Sequence, residues 1–220
     1  MAAAYAADPA AARTKATELG KEMAQEAIDL ANSLYAEYAG FTDVLADSWY
    51  ADAVDYVTEN GLMNGTGETT FGPDETTTRG MIVTILYRME GEPETEAADF
   101  TDVNADAYYA DAVAWANANG IVTGYGDGLF GPEDTITREQ MAAILYRYAQ
   151  YKGYDVTTTG SLDAYTDAAQ ISDYAVTAMQ WANEQGLITG STSTTLEPQG
   201  NAIRAEAATI LMRFCENIAK

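Results

Sequence analysis

Paired arginines are the residues of this sequence whose type and spacing are best suited to chemistry with a ligand. Beyond residue 40, the 220-residue chain contains six arginines, and they occur as three pairs whose members are nine residues apart. The pairs are Arg79 with Arg88, Arg138 with Arg147, and Arg204 with Arg213. A guanidinium carries a fixed fork of donors that matches an anionic group, so these residues are candidates for anion binding. Nine residues are about two and a half helical turns, which places the members of a pair on opposite sides of one helix.

The two members of each pair have opposite relations to the helix dipole. The first-turn arginines are Arg79, Arg138 and Arg204. At a helix start the dipole disfavours a cation by up to about 1 kcal/mol, so something must offset this cost. Two explanations stay open: an internal carboxylate, or an external anion bound by the guanidinium together with the free N–H groups of the helix start. The candidate carboxylates are Asp43, Asp102 and Asp167.

The other member of each pair lies toward a helix C-terminus, where the dipole favours a cation. These distal arginines are Arg88, Arg147 and Arg213. We therefore predict that the distal arginines stabilise the fold. The first-turn arginines are expected to bind the ligand and to contribute little to stability.

The composition excludes many kinds of chemistry. The chain has no histidine, which removes Ser-His-Asp and Cys-His catalysis, and its single cysteine, Cys215, excludes an internal disulfide and a cysteine-cluster zinc site. A net charge of −23 repels nucleic acid and anionic lipid headgroups. No stretch approaches the roughly 18 consecutive apolar residues of a membrane helix. We expect no enzyme activity, metal, cofactor, nucleic-acid partner or membrane insertion.

The sequence repeats itself three times after residue 40. Two copies match closely, and a more diverged third copy begins near Tyr165. The shared motifs are Phe-Thr-Asp-Val at 41–44 and 100–103, Phe-Gly-Pro at 71–73 and 130–132, Ile-Leu-Tyr-Arg at 85–88 and 144–147, and Trp-Ala-Asn at 115–117 and 181–183. Each copy predicts a helix, a short extended piece, a polar loop and a second helix that starts at Thr78, Thr137 or Ile203. Thr137 to Gln140 has the form of a capping box.

Residues 1–40 form a separate element. Asp8-Pro9 has the form of an N-cap followed by a first-turn proline, and a single apolar stripe ends at Gly40. The stripe consists of Leu19, Met23, Ala27, Leu30, Leu34 and Tyr38. This pattern predicts one long amphipathic helix. Docking of this helix onto the repeats is favoured over a coiled coil with a partner, because the stripe spans only about three heptads.

The three tandem copies resemble S-layer homology (SLH) domains, surface-anchoring modules of bacteria that usually occur as triplets. The resemblance implies a mainly α fold, with three tandem helix-loop-helix repeats in a pseudo-threefold spindle, here preceded by one long amphipathic helix. The family's Thr-Arg-Ala-Glu motif corresponds to residues 78–81, 137–140 and 203–206, and only its arginine is present in all three copies. The expected units are residues 1–40, 41–92, 100–152 and 162–220.

The resemblance also implies a function and a location. The family binds cell-wall polysaccharides non-covalently, often ones carrying pyruvate ketals, in grooves between neighbouring copies. This chain would then anchor a protein at the bacterial cell surface, with cell-wall polysaccharide or peptidoglycan-linked glycan as its partner and surface-layer proteins as neighbours. The N-terminus lacks the basic and apolar regions of a signal peptide, so none is expected in this chain. The alternative is a protein–protein scaffold or S-layer assembly module without glycan binding.

Aromatic residues complete the expected site. Trp49, Tyr108 and Tyr174 precede the first helix of each copy, where the resemblance implies that a ring stacks on a sugar face and the alternative is a packing role. Trp115 and Trp181 lie inside predicted helices and are expected in the core. The expected ligand-binding residues are Arg79, Arg138, Arg204, Asp43, Asp102, Asp167, Trp49, Tyr108 and Tyr174.

Overall fold

Helices and loops make up the described part of the chain, which in this computed structural model comprises residues 9–36 and 40–219, with side chains for 11–30 and 40–219. The helices are α1 (Pro9–Ala36), α2 (Ala51–Glu59), α3 (Arg79–Met89), α4 (Ala110–Ala118), α5 (Arg138–Lys152), α6 (Val176–Glu184) and α7 (Arg204–Asn217). Two 3₁₀ turns, Ala168–Gln170 and Asp173–Ala175, precede α6. Isolated bridges are the only extended pairings in these ranges. The predicted mainly α fold and the long N-terminal helix are confirmed.

Local sequence explains where the second helix of each copy begins. The Thr78 hydroxyl accepts a hydrogen bond from the N–H of Met81, and Thr137 forms the predicted capping box with Gln140. The third copy has no hydroxyl at this position, since Ile203 replaces the threonine. There the Ile203 N–H donates to the Glu206 carboxylate at 3.2 Å, which keeps half of the capping arrangement.

The three copies close into a ring through their helices. The second helix of each copy packs against the first helix of the next: α3 against α4, α5 against α6, and α7 back against α2. One hydrophobic core runs through all three copies and buries Trp115 and Trp181, as predicted. The principal helix contacts of each copy are therefore with its neighbours, as in other repeat proteins.

Backbone hydrogen bonds close the same ring at its centre, in the segments before the second helices. The N–H of Thr77 donates to the carbonyl of Ala202 at 3.0 Å, Ala202 donates to Ile136 at 2.9 Å, and Ile136 donates to Thr77 at 2.9 Å. All three residues are fully buried. Among the described residues, the Thr77 hydroxyl is the one buried side-chain polar atom without a hydrogen-bond partner.

The N-terminal helix α1 does not dock onto the repeats in its described part. Side chains on its apolar side are at least half exposed, from 51% at Leu19 to 63% at Leu30. The docking interpretation is therefore wrong for residues 11–30. Asp8 and the side chains of Leu34 and Tyr38, which belong to the same predictions, lie outside the described residues.

A transmembrane helix is absent from the described ranges, because no helix there combines sufficient length with sufficient apolar character.

Replacement of Thr77 by valine is expected to raise the free energy of unfolding by about 1 kcal/mol, because it removes a buried hydroxyl that makes no hydrogen bond while keeping its shape. Urea denaturation followed by circular dichroism measures the change. Thr209→Val is the matched control, since the Thr209 hydroxyl is also buried but donates to the Ala205 carbonyl at 2.9 Å. The control should leave stability unchanged or lower it, and a lower stability for Thr77→Val would contradict the prediction.

Candidate functional site

The N–H groups at the start of each second helix are hydrogen-bonded within the protein. In the first copy, the N–H groups of Arg79 and Gly80 donate to the carbonyl oxygens of Asp134 and Pro132 in the second copy, at 3.0 and 2.8 Å. The second and third copies repeat the arrangement with the loops of the third and first copies. The hypothesis that free N–H groups of the helix start bind an external anion is therefore wrong, because carbonyl groups of the next copy occupy them.

The first-turn arginines also reach into the next copy. All three are buried, and each donates its Nε–H to a backbone carbonyl of the following copy's loop. The bonds run from Arg79 to Phe130 at 3.0 Å, from Arg138 to Leu196 at 2.8 Å, and from Arg204 to Phe71 at 2.9 Å. Burial lowers the pKa of Arg79 and of Arg204 from the usual value, although an arginine stays charged. These guanidinium groups bridge neighbouring copies.

The three predicted carboxylates hold the loops that the arginines contact. The Asp102 carboxylate accepts the N–H groups of Phe130 and Gly131, at 2.9 and 2.7 Å. Asp43 and Asp167 accept the corresponding pairs of N–H groups in the first and third copies. Within the described ranges none of these carboxylates forms an ion pair with an arginine. Each one fixes a peptide whose carbonyl faces the arginine of the preceding copy.

The loop hydrogen bonds lower the pKa of two carboxylates, those of Asp102 and Asp167. Burial alone would raise the pKa of Asp102, but the two backbone N–H groups and the field of Arg79 outweigh it and lower the pKa below the usual value. The pKa of Asp167 is lowered in the same way, against burial, by the N–H groups of Leu196 and Glu197 and by Arg138. Both carboxylates therefore stay charged well into the acid range.

Surface grooves form between the copies, and three of those in the described part of the chain take residues from all three copies. Groove A has a volume of about 510 Å³ and joins Arg79 of the first copy, Tyr125 and Arg147 of the second, and Tyr174 of the third. Gln140, on α5, lies on the same wall. A single copy therefore cannot form a groove.

Grooves B and C follow the same plan around the ring. Groove B, of about 430 Å³, is lined by Arg138, Glu206, Arg213 and Trp49 among others. Groove C is smaller, about 190 Å³, and is lined by Arg204, Met81, Arg88 and Tyr108 among others. The structure thus combines each first-turn arginine with an aromatic residue that the sequence predicted, but from a different copy.

The aromatic residues of the grooves are exposed. Trp49 is 64%, Tyr108 58% and Tyr174 53% accessible to solvent. These rings therefore lie outside the core, although those of Trp49 and Tyr108 also contact the neighbouring rings of Tyr50 and Tyr109 edge-on, at centroid distances of 5.2 and 4.9 Å. A packing contact and an exposed face thus occur together. A ring in this position presents a flat apolar surface to whatever enters the groove.

The distal arginines lie in the C-terminal half of their helices, but two of the three lie before the last turn. Only Arg88 is in the last turn of its helix, because α5 continues to Lys152 and α7 to Asn217. Arg147 and Arg213 are half-buried and line grooves A and B. The position of these two arginines in the grooves agrees with the nine-residue spacing. That spacing turns the second arginine of each pair away from the buried face that the first one occupies.

Glu139 is a groove residue that no pattern in the sequence would have selected. It is 2% exposed, and its carboxylate accepts hydrogen bonds from the N–H and hydroxyl of Ser172, the hydroxyl of Tyr174 and the amide of Gln199. The equivalent residues are Gly80 and Ala205, so groove A alone has this cluster. Glu139 fixes the position of the Tyr174 ring.

A cluster of three or more acidic or cysteine side chains suited to a metal ion does not occur in residues 40–219 or in the described part of α1.

Comparisons with known proteins give one consistent result. A model of the S-layer homology domain matches the chain at residues 40–80, 99–142 and 164–208. Among similar proteins, the amylopullulanase of Thermoanaerobacterium thermosulfurigenes is 31% identical over 83% of this chain and 10% of its own length. The surface-layer 125 kDa protein of Lysinibacillus sphaericus is 31% identical over 83% of this chain and 16% of its own length. The endoglucanase of Bacillus sp. (strain KSM-635) is 32% identical over 81% and 19%. The chain spans less than a fifth of the length of each.

Replacement of Arg138 by alanine is expected to lower the free energy of unfolding by about 3 kcal/mol, because it leaves the Glu206 carboxylate and the carbonyl groups of Leu196 and Thr189 without their partner. Arg147→Ala removes a half-buried side chain that forms no ion pair in the described part of the chain, so its effect should stay below about 1 kcal/mol. Urea denaturation of both variants measures the contrast. This order reverses the stability roles expected from the sequence, and a larger loss for Arg147→Ala would restore them.

The carboxylate of Asp167 is expected to contribute to stability in a pH-dependent way. Its pKa is lowered in the folded state, so its contribution is complete above the unfolded value of about 3.9 and is lost as the pH falls through the folded value. The difference in unfolding free energy between the parent chain and Asp167→Asn should therefore shrink as the pH is lowered from about 6 to about 3. Chemical denaturation across this range measures it, with Asp163→Asn, an exposed carboxylate of the same copy, as control. A difference that is independent of pH would contradict the assignment.

Proposed function

The chain belongs to the family of S-layer homology domains, and we propose that it binds anionic cell-wall polysaccharide in its grooves and so anchors the protein that carries it to the bacterial cell envelope. The attachment is non-covalent. The family membership supports anchoring at the cell surface, and the groove chemistry supports an anionic glycan as the partner.

The observation that carries the proposal is the composition of the grooves. In groove A, a buried arginine and a half-buried arginine lie in the same groove as an exposed tyrosine ring, contributed by three different copies. The guanidinium groups suit the oxyanion of an acidic sugar, and the ring suits the apolar face of a pyranose. Because grooves B and C repeat the combination of two arginines and an aromatic residue, the ligand is expected to be a repeating polymer.

A net charge of −23 does not prevent binding of an anion. The bulk charge is screened over about 10 Å at 0.1 M ionic strength, whereas an arginine recessed in a groove acts on a ligand at contact distance. The charge should instead slow the approach of the glycan at low salt. Affinity then depends on the groove residues.

We propose that the chain itself has no catalytic activity. Relatives that share this segment are named an amylopullulanase, an endoglucanase and a surface-layer protein. The shared segment therefore occurs in proteins whose named activities differ. Attachment is a role that all of them could share. The same reasoning favours the cell surface as the location of this chain.

A protein–protein assembly role remains the second candidate, and one observation favours it. The described apolar side chains of α1, Leu19, Met23, Ile28 and Leu30, are exposed along the helix. A helix of this kind can pack against another protein of the surface layer. The two roles are compatible, because α1 is separate from the grooves in the described ranges.

The parent chain is expected to co-sediment with cell walls stripped of protein, and more weakly as salt is raised, because part of the attraction is between charges. A triple variant, Trp49→Ala, Tyr108→Ala and Tyr174→Ala, should lose most of this binding while remaining folded, since all three rings are exposed. Tyr151→Ala is the control, because Tyr151 is 42% exposed but lies outside the grooves.

Two results would overturn the proposal. One is a parent chain that stays in the supernatant with protein-free walls, and the other is equal binding to walls whose attached polysaccharide has been removed. Self-association of such a non-binding chain in light scattering would support the assembly role instead.

A further inference from the structure

One face of α1 carries an apolar stripe whose described side chains lie in solvent. Among residues 11–30, the stripe consists of Ala16, Leu19, Met23, Ala27 and Leu30. At about 100° per residue, these five positions fall within an arc of about 80° on the helix. All five side chains are exposed, and those of the two leucines and the methionine are at least half exposed. An apolar face of this kind is expected to pack against another surface.

The order of side-chain sizes along the stripe favours an antiparallel partner of the same sequence. If a second α1 runs in the opposite direction and the two Met23 side chains meet at the centre, every other large side chain of the stripe faces a small one. Leu30 then lies opposite Ala16 of the other chain, and Leu19 lies opposite Ala27. A parallel pair would place leucine against leucine and alanine against alanine, which crowds one layer and leaves the next one empty. The stripe is thus complementary to itself in the antiparallel direction.

The charges along α1 favour the same direction. Residues 11–21 contain three basic side chains and one acidic side chain, whereas residues 22–30 contain three acidic side chains and no basic one. The helix also lacks the acidic first turn and the basic last turn that would complement its own dipole. An antiparallel partner places its acidic half beside the basic half of α1. Glu22 and Glu26 meet their counterparts near the centre, which weakens the pair, so we expect a reversible dimer.

The charge of the repeats opposes a parallel pair. Residues 40–219 contain 28 acidic and 7 basic side chains, and they begin four residues after the end of α1 at Ala36. With Met23 at the centre and about 1.5 Å per residue, the two Ala36 residues of an antiparallel pair lie about 39 Å apart. This is several times the Debye length of about 10 Å at 0.1 M ionic strength. Parallel helices would hold the same two ends about 8–10 Å apart, within the range of the repulsion.

We propose that α1 pairs with α1 of a second molecule of this chain in an antiparallel dimer, with Met23 at the twofold axis, Leu30 packed on Ala16 and Leu19 packed on Ala27. The inference goes beyond the proposed function, since the pairing requires no glycan. The dimer carries one set of grooves at each end of a helical rod. Where the proposed function holds, both sets can engage one wall, and the second attachment then occurs at a high effective concentration.

Sedimentation equilibrium of the full chain without glycan tests the dimer. The parent chain is expected to change from monomer to dimer as its concentration is raised. Met23→Glu should raise the dissociation constant by at least about tenfold, because it removes the central apolar contact and adds two carboxylates that face each other. Ile28→Glu is the matched control. Ile28 is 52% exposed on the same helix but is turned about 180° from Leu19, so this variant should dimerise like the parent chain.

Thiol cross-linking tests the direction of the two helices. In a Cys215→Ser background, Ala16→Cys combined with Leu30→Cys should give a covalent dimer with a short bis-maleimide, because the two positions face each other across helices about 8–10 Å apart. Leu30→Cys without the change at Ala16 should not, since the two thiols of an antiparallel pair would lie about 21 Å apart along the helices. Equal cross-linking by both variants would mean parallel helices and would overturn the proposal.

The outcomes separate this inference from the proposed function. A parent chain that stays monomeric at every concentration overturns the dimer and leaves the stripe to a different protein. Equal dissociation of Met23→Glu and Ile28→Glu overturns the choice of face. Neither result depends on glycan binding. If the parent chain dimerises and co-sediments with walls, Met23→Glu should co-sediment more weakly than Ile28→Glu, and equal binding would overturn engagement of both sets of grooves. Thermal unfolding of each variant shows that the repeats remain folded.

Discussion

The second helix of each copy depends on the next copy for the hydrogen-bond acceptors at its N-terminus. The first N–H groups of an α-helix have no partner inside the helix, and an arginine beside them adds a cation to the positive end of the dipole. In this protein the loop of the next copy supplies carbonyl oxygens to both the N–H groups and the guanidinium. An aspartate that precedes the first helix of the same copy fixes the peptide that carries the carbonyl. Ring closure, a shared core and grooves built from three copies all follow from this one dependence.

Features set by neighbours in the sequence could be predicted, and features set by distant copies could not. Helix starts, the capping box and the buried tryptophans depend on local patterns, and the structure contains them. The partners of Arg79 depend on a loop some 50 residues away, so the sequence could raise an internal or an external anion but not a carbonyl oxygen. Arg147 and Arg213 lie before the last helical turn, unlike Arg88, because α5 and α7 continue further past their distal arginine than α3 does. The exposure of α1 could not be predicted, because the apolar stripe of a helix does not show which surface packs against it.

The three copies keep one backbone arrangement, while the side chains that line the grooves differ from copy to copy. A Cβ on Gly80 would lie 2.8 Å from the Pro132 carbonyl, yet the equivalent residues are Glu139 and Ala205, so each junction has adjusted separately. The loop residue that follows Phe71, Phe130 or Leu196 has a left-handed backbone conformation in all three copies. It is a glycine in the first two copies and Glu197 in the third. Copies that share a scaffold in this way are free to differ in charge. The three grooves can therefore differ in their lining side chains without loss of the fold.

The closed ring also has a consequence for the synthesis of the protein. A chain that has left the ribosome only as far as residue 200 contains two complete copies, but Thr77 has no Ala202 to bond with and α2 has no α7 to cover it. The first copy is thus the earliest to be made and the last to be completed. The contacts of α2 with α7 and the central hydrogen bond from Thr77 to Ala202 can form only after the last copy has been made.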